Sequence, residues 1–416
     1  MPGTMIEGII ARHCDREPVP GDIVWMHIDV RTARDFGGAN VVRHLARWYP
    51  NSPVADPSRT FFTFDCVVPA NNIPYANNQM TCRRFARENG IRVFDCDRGI
   101  GSHVLIDSGL ATPGSTVVGT DSHLNILGAI GALGQGMGDQ DIAFTFRTGR
   151  TWFEVPPTMR VEVTGDLPPG TTPRDLTLKV VGTLGSRGAL GHAVEFHGRA
   201  VERLGLDGRI TLASMATEMG AIAGLIPPTR EVLEYCSDRS GTPVEPVLPD
   251  GDAGYAATVE IGIDDLEPLV ARPPRPDNVA PVSDLGEVRI DSAFVGSCTN
   301  GRYEDIAEVA RIIEGRRIAD GVFAIVVPST REVYGRLLED GLLSVLHEAG
   351  FIVTNPGCGG CASGQAGMTG KGQVQVSTSN RNFPGKQGEG DTYLASPATV
   401  AASAVLGRIA TVEEVV

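Results

Sequence analysis

The chain has 416 residues, of which 42% are hydrophobic and 21% are charged, so it can form two or three globular domains with a sizeable core. Its formal net charge is −14 at pH 7 and no run of Lys or Arg stands out, which argues against a nucleic-acid surface or an anionic-membrane surface. Residues 1–22 lack a secretory signal, and no apolar run reaches the roughly 18 residues of a membrane helix. We therefore expect a cytoplasmic protein that binds neither nucleic acids nor membranes.

Short β-branched segments alternate with helical patterns along the chain. Residues 115–123, STVVGTDSH, predict a strand that ends in a polar loop. Residues 126–146, ILGAIGALGQGMGDQDIAFTF, predict one glycine-rich helix packed closely on a neighbour. Proline-rich passages at 155–175 and 271–286 indicate domain boundaries. The predicted blocks are residues 1–160, 161–280 and 281–416.

The alternation is clearest in the C-terminal third of the chain. The segments in order are SAFVGSCTN (strand and loop), YEDIAEVARIIEG (helix), GVFAIVVPST (strand), REVYGRLLEDGLLSVLHEAG (helix) and FIVTNPGCGG (strand and loop). Strands that alternate with helices in this way are typical of an α/β protein with mainly parallel sheets.

Three of the eight cysteines fall in loops that follow predicted strands. Cys298 follows SAFVG, and Cys358 and Cys361 follow FIVT. Because loops at the carboxyl ends of parallel strands share one edge of a sheet, the three thiolates can converge. The Cys-x-x-Cys spacing alone leaves a zinc site and a redox pair open. Three cysteines can also hold three irons of a [4Fe–4S] cluster and leave the fourth iron open as a Lewis acid.

Several further segments resemble motifs of the aconitase superfamily, in particular of its 3-isopropylmalate dehydratase large-subunit and homoaconitase-like members. They are GTDSH, GSCTNGRYEDI, NPGCGGCASG, STSNRNFPGKQG and YLASPATVAASAVLG, in matching order over nearly the whole chain. The resemblance implies a three-layer αβα fold, with mainly parallel sheets in three subdomains around a central cleft. It also implies a hydro-lyase that removes and re-adds water on a hydroxy di- or tricarboxylic acid.

The resemblance also implies the residues of the site. A [4Fe–4S] cluster would be held by Cys298, Cys358 and Cys361. The expected catalytic residues are Asp65, Asp121, His123 and Glu218, and those expected to bind an anionic substrate are Ser122, Asn300, Ser379, Arg381 and Lys386. Full-length family members carry a swivelling domain with a serine base, and the chain ends soon after SPATVAASAVLG. We therefore expect a separate small swivel-domain subunit to supply that base.

Three positions depart from the family pattern. Cys66 stands beside Asp65 where the family has a histidine, and a thiol is a poorer match than an imidazole for protonating a leaving hydroxyl. Ser102 replaces a second histidine, and His103 would face the other way if the segment is extended. Lys386 replaces an arginine and lacks its planar grip. These changes favour an altered substrate, such as an alkyl- or phosphono-substituted malate, and leave an inactive iron–sulfur regulator as an alternative.

Overall fold

The structure is a computed structural model that describes residues 3–361 and 365–415. Across these residues the strands form four sheets, three of which are mainly parallel. The α/β class with mainly parallel sheets that the sequence predicts is therefore confirmed. The division into blocks at residues 160 and 280 stays a prediction.

The N-terminal part of the chain forms a five-stranded sheet and a two-stranded ribbon. Its strands are β1 (Ile23–His27), β2 (Val30–Arg34), β3 (Thr60–Thr63), β4 (Arg92–Phe94), β5 (Thr116–Gly119), β6 (Leu133–Gly136) and β7 (Arg150–Glu154), and its helices are α1 (Met5–His13), α2 (Gly38–Trp48), α3 (Ile73–Asn89), α4 (Gly101–Asp107) and α5 (Asp139–Thr148). β1 and β7 pair in antiparallel fashion, whereas the order β4-β3-β2-β5-β6 is parallel throughout. The strand order changes direction between β2 and β5, which is where parallel sheets usually bind ligands.

The middle part forms a four-stranded parallel sheet in the order β10-β9-β8-β11. Its strands are β8 (Thr158–Thr164), β9 (Ala193–His197), β10 (Ala223–Leu225) and β11 (Ala257–Gly262), and its helices are α6 (Pro173–Leu184), α7 (Arg199–Glu202), α8 (Leu206–Ser214) and α9 (Arg230–Ser240). A 3-10 helix, Ala216–Met219, follows α8 and carries Glu218. This short turn, and not a regular α-helix, therefore sets the direction of the Glu218 side chain.

The C-terminal part forms a seven-stranded sheet. Its strands are β12 (Leu269–Ala271), β13 (Val279–Pro281), β14 (Ser292–Gly296), β15 (Phe323–Val327), β16 (Ile352–Val353), β17 (Val374–Ser377) and β18 (Asp391–Ala395), and its helices are α10 (Tyr303–Ile313), α11 (Arg331–Glu339), α12 (Leu342–Ala349) and α13 (Pro397–Leu406). The order is β13-β12-β18-β17-β14-β15-β16, with antiparallel pairing at both neighbours of β12. The order changes direction between β14 and β17, so this sheet also has a crevice at its carboxyl edge.

The prediction of a single glycine-rich helix at residues 126–146 is wrong. A 3-10 helix (Leu124–Ile130), β6 and α5 occupy this part of the chain. A Cβ at Gly128 would lie 1.6 Å from the carbonyl oxygen of Gly224. Glycine at this position therefore allows two backbones to come into contact. The tertiary packing requires this glycine, although its spacing in the sequence looks like that of a close-packed helix.

The segment 331–350, predicted as one helix, contains two. Gly341 separates α11 from α12 and has a φ of 74°. This left-handed conformation costs glycine little, but it interrupts the helical hydrogen bonds. The other strands and helices predicted in the C-terminal third are present.

The largest apolar core is shared between the sheets. It includes Val117, Val161 and Leu394, one from each of the three larger sheets. A shared, closely packed core sets the positions of the sheet edges relative to one another and so shapes the space between them. Among the described helices, none has both the length and the apolar content needed to cross a bilayer.

Arg302 links the three parts of the chain through an ionic contact. Its guanidinium donates to Asp107 Oδ1 at 2.8 Å and to Asp207 Oδ1 at 3.0 Å. Burial opposes the ionisation of Asp107, but the charge and hydrogen bonds of Arg302 outweigh it and lower the pKa of that carboxyl. We call Arg302, Asp107 and Asp207 the interregion network.

Candidate active site

A cavity of about 360 Å³ lies between carboxyl-end loops of the first and third sheets. Arg34, at the end of β2, and Asp121, just after β5, line it from the first sheet. Cys298, just after β14, and Cys358, after β16, line it from the third sheet. The crevices of the two sheets therefore open into one space, as ligand sites in α/β proteins commonly do.

Arg34 is the centre of the polar wall. Its Nε donates to Asp65 Oδ1 at 2.7 Å, and its Nη1 donates to Asp121 Oδ1 at 2.9 Å. Its Nη2 donates to Cys358 Sγ at 2.5 Å. Burial alone would lower the pKa of the guanidinium, but the charges of the two aspartates raise it well above its usual value. Arg34 is therefore a permanent cation that joins loops of two sheets.

Asp35 holds the loop that carries Asp65. Its fully buried carboxylate accepts hydrogen bonds from the backbone N–H groups of Asp65, Cys66 and Val67 at 3.2, 3.0 and 3.1 Å. The side-chain amide of Gln79 donates to the same carboxylate at 3.2 Å. One buried side chain thus orders the turn after β3, so the neighbouring Asp65 has a defined position.

Asp65 is fully buried behind the cavity wall, and Cys66 is part of that wall. The backbone N–H of Gly101 donates to Asp65 Oδ2 at 2.7 Å, and the Cys66 thiol lies 3.5 Å from Oδ1. Burial, only partly offset by the charge of Arg34, raises the pKa of Asp65 to about 6. A hydrogen bond with Cys358 and burial raise the pKa of Cys66 well above its usual value. Asp65 can therefore hold a proton close to neutrality, beside a neutral thiol.

His123, Glu218 and Arg381 form a second polar group. His123 Nε2 lies 3.1 Å from Glu218 Oε1, and Arg381 Nε donates to the same oxygen at 2.7 Å. Burial opposes the ionisation of Glu218, but the hydrogen bond with His123 and the charge of Arg381 lower its pKa. The backbone N–H of His123 donates to Asp121 Oδ1 at 3.0 Å and so connects this group to the first. We call the connected set the cavity network: Arg34, Asp65, Asp121, His123, Glu218 and Arg381.

Two cationic side chains end in nitrogen atoms that have no partner among the described residues. The Nη groups of Arg381 and the Nζ of Lys386 have no hydrogen bond or ion pair there, although Arg381 is held through its Nε. Lys386 lines the cavity. Arg381 is not a lining residue, and it is joined to the lining residue His123 through Glu218. Guanidinium and ammonium groups both bind carboxylates of anionic ligands.

All three predicted cluster cysteines line the same cavity as free thiols. Burial raises the pKa of Cys298 well above its usual value and also raises that of Cys361. Such thiols stay neutral unless a cation stabilises the thiolate, which is how metal binding and deprotonation are linked. The turn between Cys358 and Cys361 depends on Gly359, where a Cβ would lie 2.8 Å from the Phe294 ring. The rest of the NPGCGGCASG motif, residues 362–364, lies outside the described residues.

The donor set of these cysteines fits an iron–sulfur cluster. Thiolates are the usual ligands of such clusters, one to each iron. The charges of Lys386, Arg381 and Arg34 act on the Cys361 thiol. These three cations would offset the negative charge of the thiolates and of the cluster sulfides.

A second donor set suits a single ion less well. Asp65, Cys66 and Cys358 present ligand atoms within 4.8 Å of one another. However, Arg34 donates to two of these groups, so its positive charge opposes a cation among them. A divalent ion held by Asp65 and Cys358 would have to displace the hydrogen bonds of Arg34.

His103 lies on a helix and not on the extended segment assumed from the sequence. It belongs to α4, is fully buried, and its Nε2 lies 3.0 Å from the carbonyl oxygen of Cys298. Burial, followed by the charge of Arg302, lowers the pKa of His103 to about 4, so the ring is neutral at pH 7. His103 therefore supports the Cys298 loop from behind and does not line the cavity.

The other predicted substrate-binding residues separate into two groups. Ser122 lies in the cavity wall. Ser379 and Asn300 are buried and do not line the cavity. The carbonyl oxygen of Ser379 accepts a hydrogen bond from buried Arg174 at 2.7 Å, and the Asn300 amide donates to Asp305 Oδ1 at 2.8 Å. Their contacts are typical of residues that shape a loop.

Sequence analysis missed Arg34 and Asp35. They follow the segment VRTA, which is short and has no apolar alternation, so it does not stand out as a strand. The available signal was a charged pair followed closely by Gly37 and Gly38, which favour a turn. The pairing of β2 with β5 is what brings Arg34 beside the predicted Asp121 loop.

Comparisons with known proteins identify the family. The Aconitase family (aconitate hydratase) model matches residues 7–287 and 283–407. The crystal structure of Thermococcus kodakaraensis aconitase X has a related fold, with a TM-score of 0.50 and 13% identity over 90% of this chain and 87% of that chain. The chain therefore belongs to the aconitase family, which confirms the resemblance seen in the sequence.

Full-length relatives define the enzyme class. The chain is 46% identical to the 3-isopropylmalate dehydratase large subunit 1 of Methanopyrus kandleri, over 98% of each. It is 42% identical to the probable methanogen homoaconitase large subunit of Methanothermobacter thermautotrophicus, over 97% of this chain and 96% of the relative. The 3-isopropylmalate dehydratase large subunit of Aquifex aeolicus is 39% identical, over 99% of this chain and 98% of the relative. The protein is accordingly a hydro-lyase of the aconitase family, as predicted.

Proposed function

We propose that this chain is the large subunit of a hydro-lyase that dehydrates and rehydrates a hydroxy di- or tricarboxylic acid similar to 3-isopropylmalate. The observation that carries the proposal is that one cavity is lined by the three cysteines together with Arg34, Asp121 and His123, through which the rest of the cavity network is connected. Further support comes from relatives that are named 3-isopropylmalate dehydratase large subunit and homoaconitase large subunit.

Cys298, Cys358 and Cys361 would hold a [4Fe–4S] cluster. When bound, the cluster would supply an open iron that acts as a Lewis acid toward the substrate hydroxyl and carboxylate. The three thiols are buried in the cavity wall, where weak solvation strengthens the charge interactions around them.

Arg381 and Lys386 would bind the substrate carboxylates. The ionised Glu218 orients Arg381 through its Nε and leaves the planar Nη pair for a two-point contact with a carboxylate. Phe36, Tyr75 and Ile100 form an apolar part of the same wall. An acid with an alkyl substituent would place that group against these side chains, which supports an alkylmalate over a fully polar tricarboxylate.

Asp65, Asp121 and His123 would handle the proton. Asp65 can hold a proton close to neutral pH, and its Oδ1 lies 3.5 Å from the Cys66 thiol at the cavity surface. His123 is oriented through Glu218 on one side and through its own backbone contact to Asp121 on the other. Groups held in this way need little reorganisation when the hydroxyl leaves. This preorganisation is the reason that a positioned acid accelerates such a step.

A separate small subunit would complete the site with a serine base. The names of the relatives describe them as large subunits, which supports a partner of this kind. We also keep the cytoplasmic location as a prediction.

A phosphono-substituted malate is the second candidate substrate. Lys386 favours it, because a compact ammonium group can neutralise a phosphonate without requiring the planar geometry of a carboxylate. Assay of the chain together with its small subunit on 3-isopropylmalate, homocitrate, citrate, alkylmalates and phosphonomethylmalate would rank the two candidates. Turnover of the phosphono acid without turnover of the alkylmalates would favour the second.

Anaerobic purification tests the cofactor. We expect iron and acid-labile sulfide in the wild-type chain, together with the visible absorption of an iron–sulfur chromophore. Cys298→Ser should lose them, whereas Cys236→Ser should keep them, because Cys236 is buried in α9 and does not line the cavity. A colourless wild-type protein with one zinc ion per chain would refute the proposal.

A further inference from the structure

We propose that Arg34 is a positioning residue that couples the cluster ligand Cys358 to the carboxylates of Asp65 and Asp121. We further propose that its hydrogen bond to the Cys358 sulfur raises the reduction potential of the bound cluster. Both statements rest on the proposed function, since they require the cluster to be present.

The geometry of Arg34 uses every nitrogen of the guanidinium. Nε, Nη1 and Nη2 each donate to a different group, at 2.7, 2.9 and 2.5 Å. The three acceptors belong to Asp65, Asp121 and Cys358, which follow three different strands. Because the guanidinium is planar and rigid, holding one acceptor constrains the other two. A small displacement of the Cys358 loop would thus be transmitted to both carboxylates.

The same geometry argues against direct substrate binding by Arg34. Its side chain is 13% exposed, and each nitrogen already has an acceptor within the protein. Arg381 differs, because only its Nε is committed. A substrate carboxylate would have to displace an ion pair to bind Arg34, whereas the Nη groups of Arg381 have no ion pair to displace among the described residues.

The effect on potential follows from charge. Reduction adds an electron to the cluster, and a nearby cation or an N–H donor to a ligand sulfur stabilises that extra charge. The contact between Arg34 and Cys358 lies in a buried wall, where screening by water is weak. Removing the cation should therefore make the potential more negative.

Arg31 provides a matched control on the same strand. It is 3% exposed, and its guanidinium donates to neutral oxygens of Thr60, Ile28 and Asp56 at 3.2, 3.1 and 3.3 Å. Like Arg34 it is a hydrogen-bonded arginine of β2 with little exposed side chain, but it does not line the cavity. A substitution there disturbs the packing of β2 without removing a contact to Cys358.

The test compares Arg34→Gln, Arg34→Lys and Arg31→Gln in the reconstituted complex of both subunits. The readouts are iron and sulfide content, the reduction potential from a redox titration followed by electron paramagnetic resonance, and kcat and KM. We expect Arg34→Gln to shift the potential to more negative values, and Arg31→Gln to keep the wild-type potential. Arg34→Lys keeps the charge but loses the planar guanidinium. We therefore expect its reduction potential to stay close to that of the wild type, while kcat falls about 10–100-fold and KM changes little.

Two results would overturn the inference. The first is an Arg34→Gln variant with a full cluster and the wild-type potential. The second is an Arg34→Lys variant with the wild-type kcat, which would decide the matter even if Arg34→Gln failed to hold a cluster. Failure of the proposed function would look different, because the wild-type chain itself would then contain no iron or sulfide.

Discussion

Two arginines with little exposed side chain, Arg34 and Arg302, each bridge two aspartates, yet they serve different purposes. Arg302 joins Asp107 and Asp207 in the interregion network, where all three side chains are at most 16% exposed and Arg302 does not line the cavity. Arg34 has a third partner, a sulfur, and lies in the cavity wall. Burial and ion pairing are thus common to both networks. The cavity and the thiol are what mark one of them as a candidate active site.

The cost of burying charge explains why each network needs a purpose. A buried ion pair repays its desolvation only when geometry and additional hydrogen bonds are good, and loss of one partner leaves a costly unpaired charge. In the interregion network the ion pairs hold three parts of the chain together. In the cavity network the ion pairs hold charged groups beside the proposed substrate site. The following predictions test this distinction.

The largest expected effect concerns catalysis at the cavity network. Glu218→Gln keeps the shape of the side chain but removes the charge that His123 and Arg381 share. We expect kcat to fall by about 10²–10⁴-fold, while the free energy of unfolding changes little by comparison. Glu260→Gln, at an exposed position of β11, is the control and should keep its kcat. A Glu218→Gln variant with near-wild-type turnover would place catalysis elsewhere.

The next effect concerns stability at the interregion network. Arg302→Met leaves Asp107 and Asp207 buried without their cation, and we expect the free energy of unfolding to fall by about 3–5 kcal/mol. Urea denaturation followed by circular dichroism measures it. Arg289→Met, whose side chain is 86% exposed, should cost less than about 1 kcal/mol. If Arg302→Met lowered kcat per folded molecule as strongly as Glu218→Gln, the distinction between the two networks would fail.

A smaller effect concerns pH. Asp107→Asn should lower the free energy of unfolding at pH 7 by about 2 kcal/mol, because a charge-assisted hydrogen bond is lost. The folded-state pKa of Asp107 is depressed, so its contribution is present above the unfolded pKa near about 4 and is lost as the pH falls through the folded pKa. Urea titrations from neutral to acidic pH should therefore show the gap between variant and wild type closing. A gap that widened in acid would contradict the ion-pair interpretation.

The smallest effect concerns substrate binding. Lys386→Met removes an uncommitted cation from the cavity wall, and we expect KM for a dianionic substrate to rise about tenfold, or about 1.4 kcal/mol, with little change in kcat. Steady-state kinetics of the two-subunit enzyme measures both constants. Lys371→Met, at an exposed position, serves as the control. An unchanged KM would separate Lys386 from the substrate site.

Much of the fold could be predicted because local patterns decide it. The apolar strand SAFVG became β14, and the segment after it became α10. The predictions failed where glycine had a tertiary purpose, as at Gly128, whose contact with Gly224 a local pattern does not reveal. The segment around His103 was treated as extended because it has few helix signals, and it is helix α4, although His103 does not line the cavity.

The sequence by itself determined the α/β alternation, the spacing of the three cysteines and the motifs that indicate the family. The tertiary structure decided which charged groups meet. Arg34 and Cys358 are 324 positions apart, and their contact depends on the strand order of two sheets and on how those sheets pack. Chain-local patterns specify strands and turns, but they do not specify which strand ends become neighbours. The centre of the candidate site therefore became visible only in the folded chain.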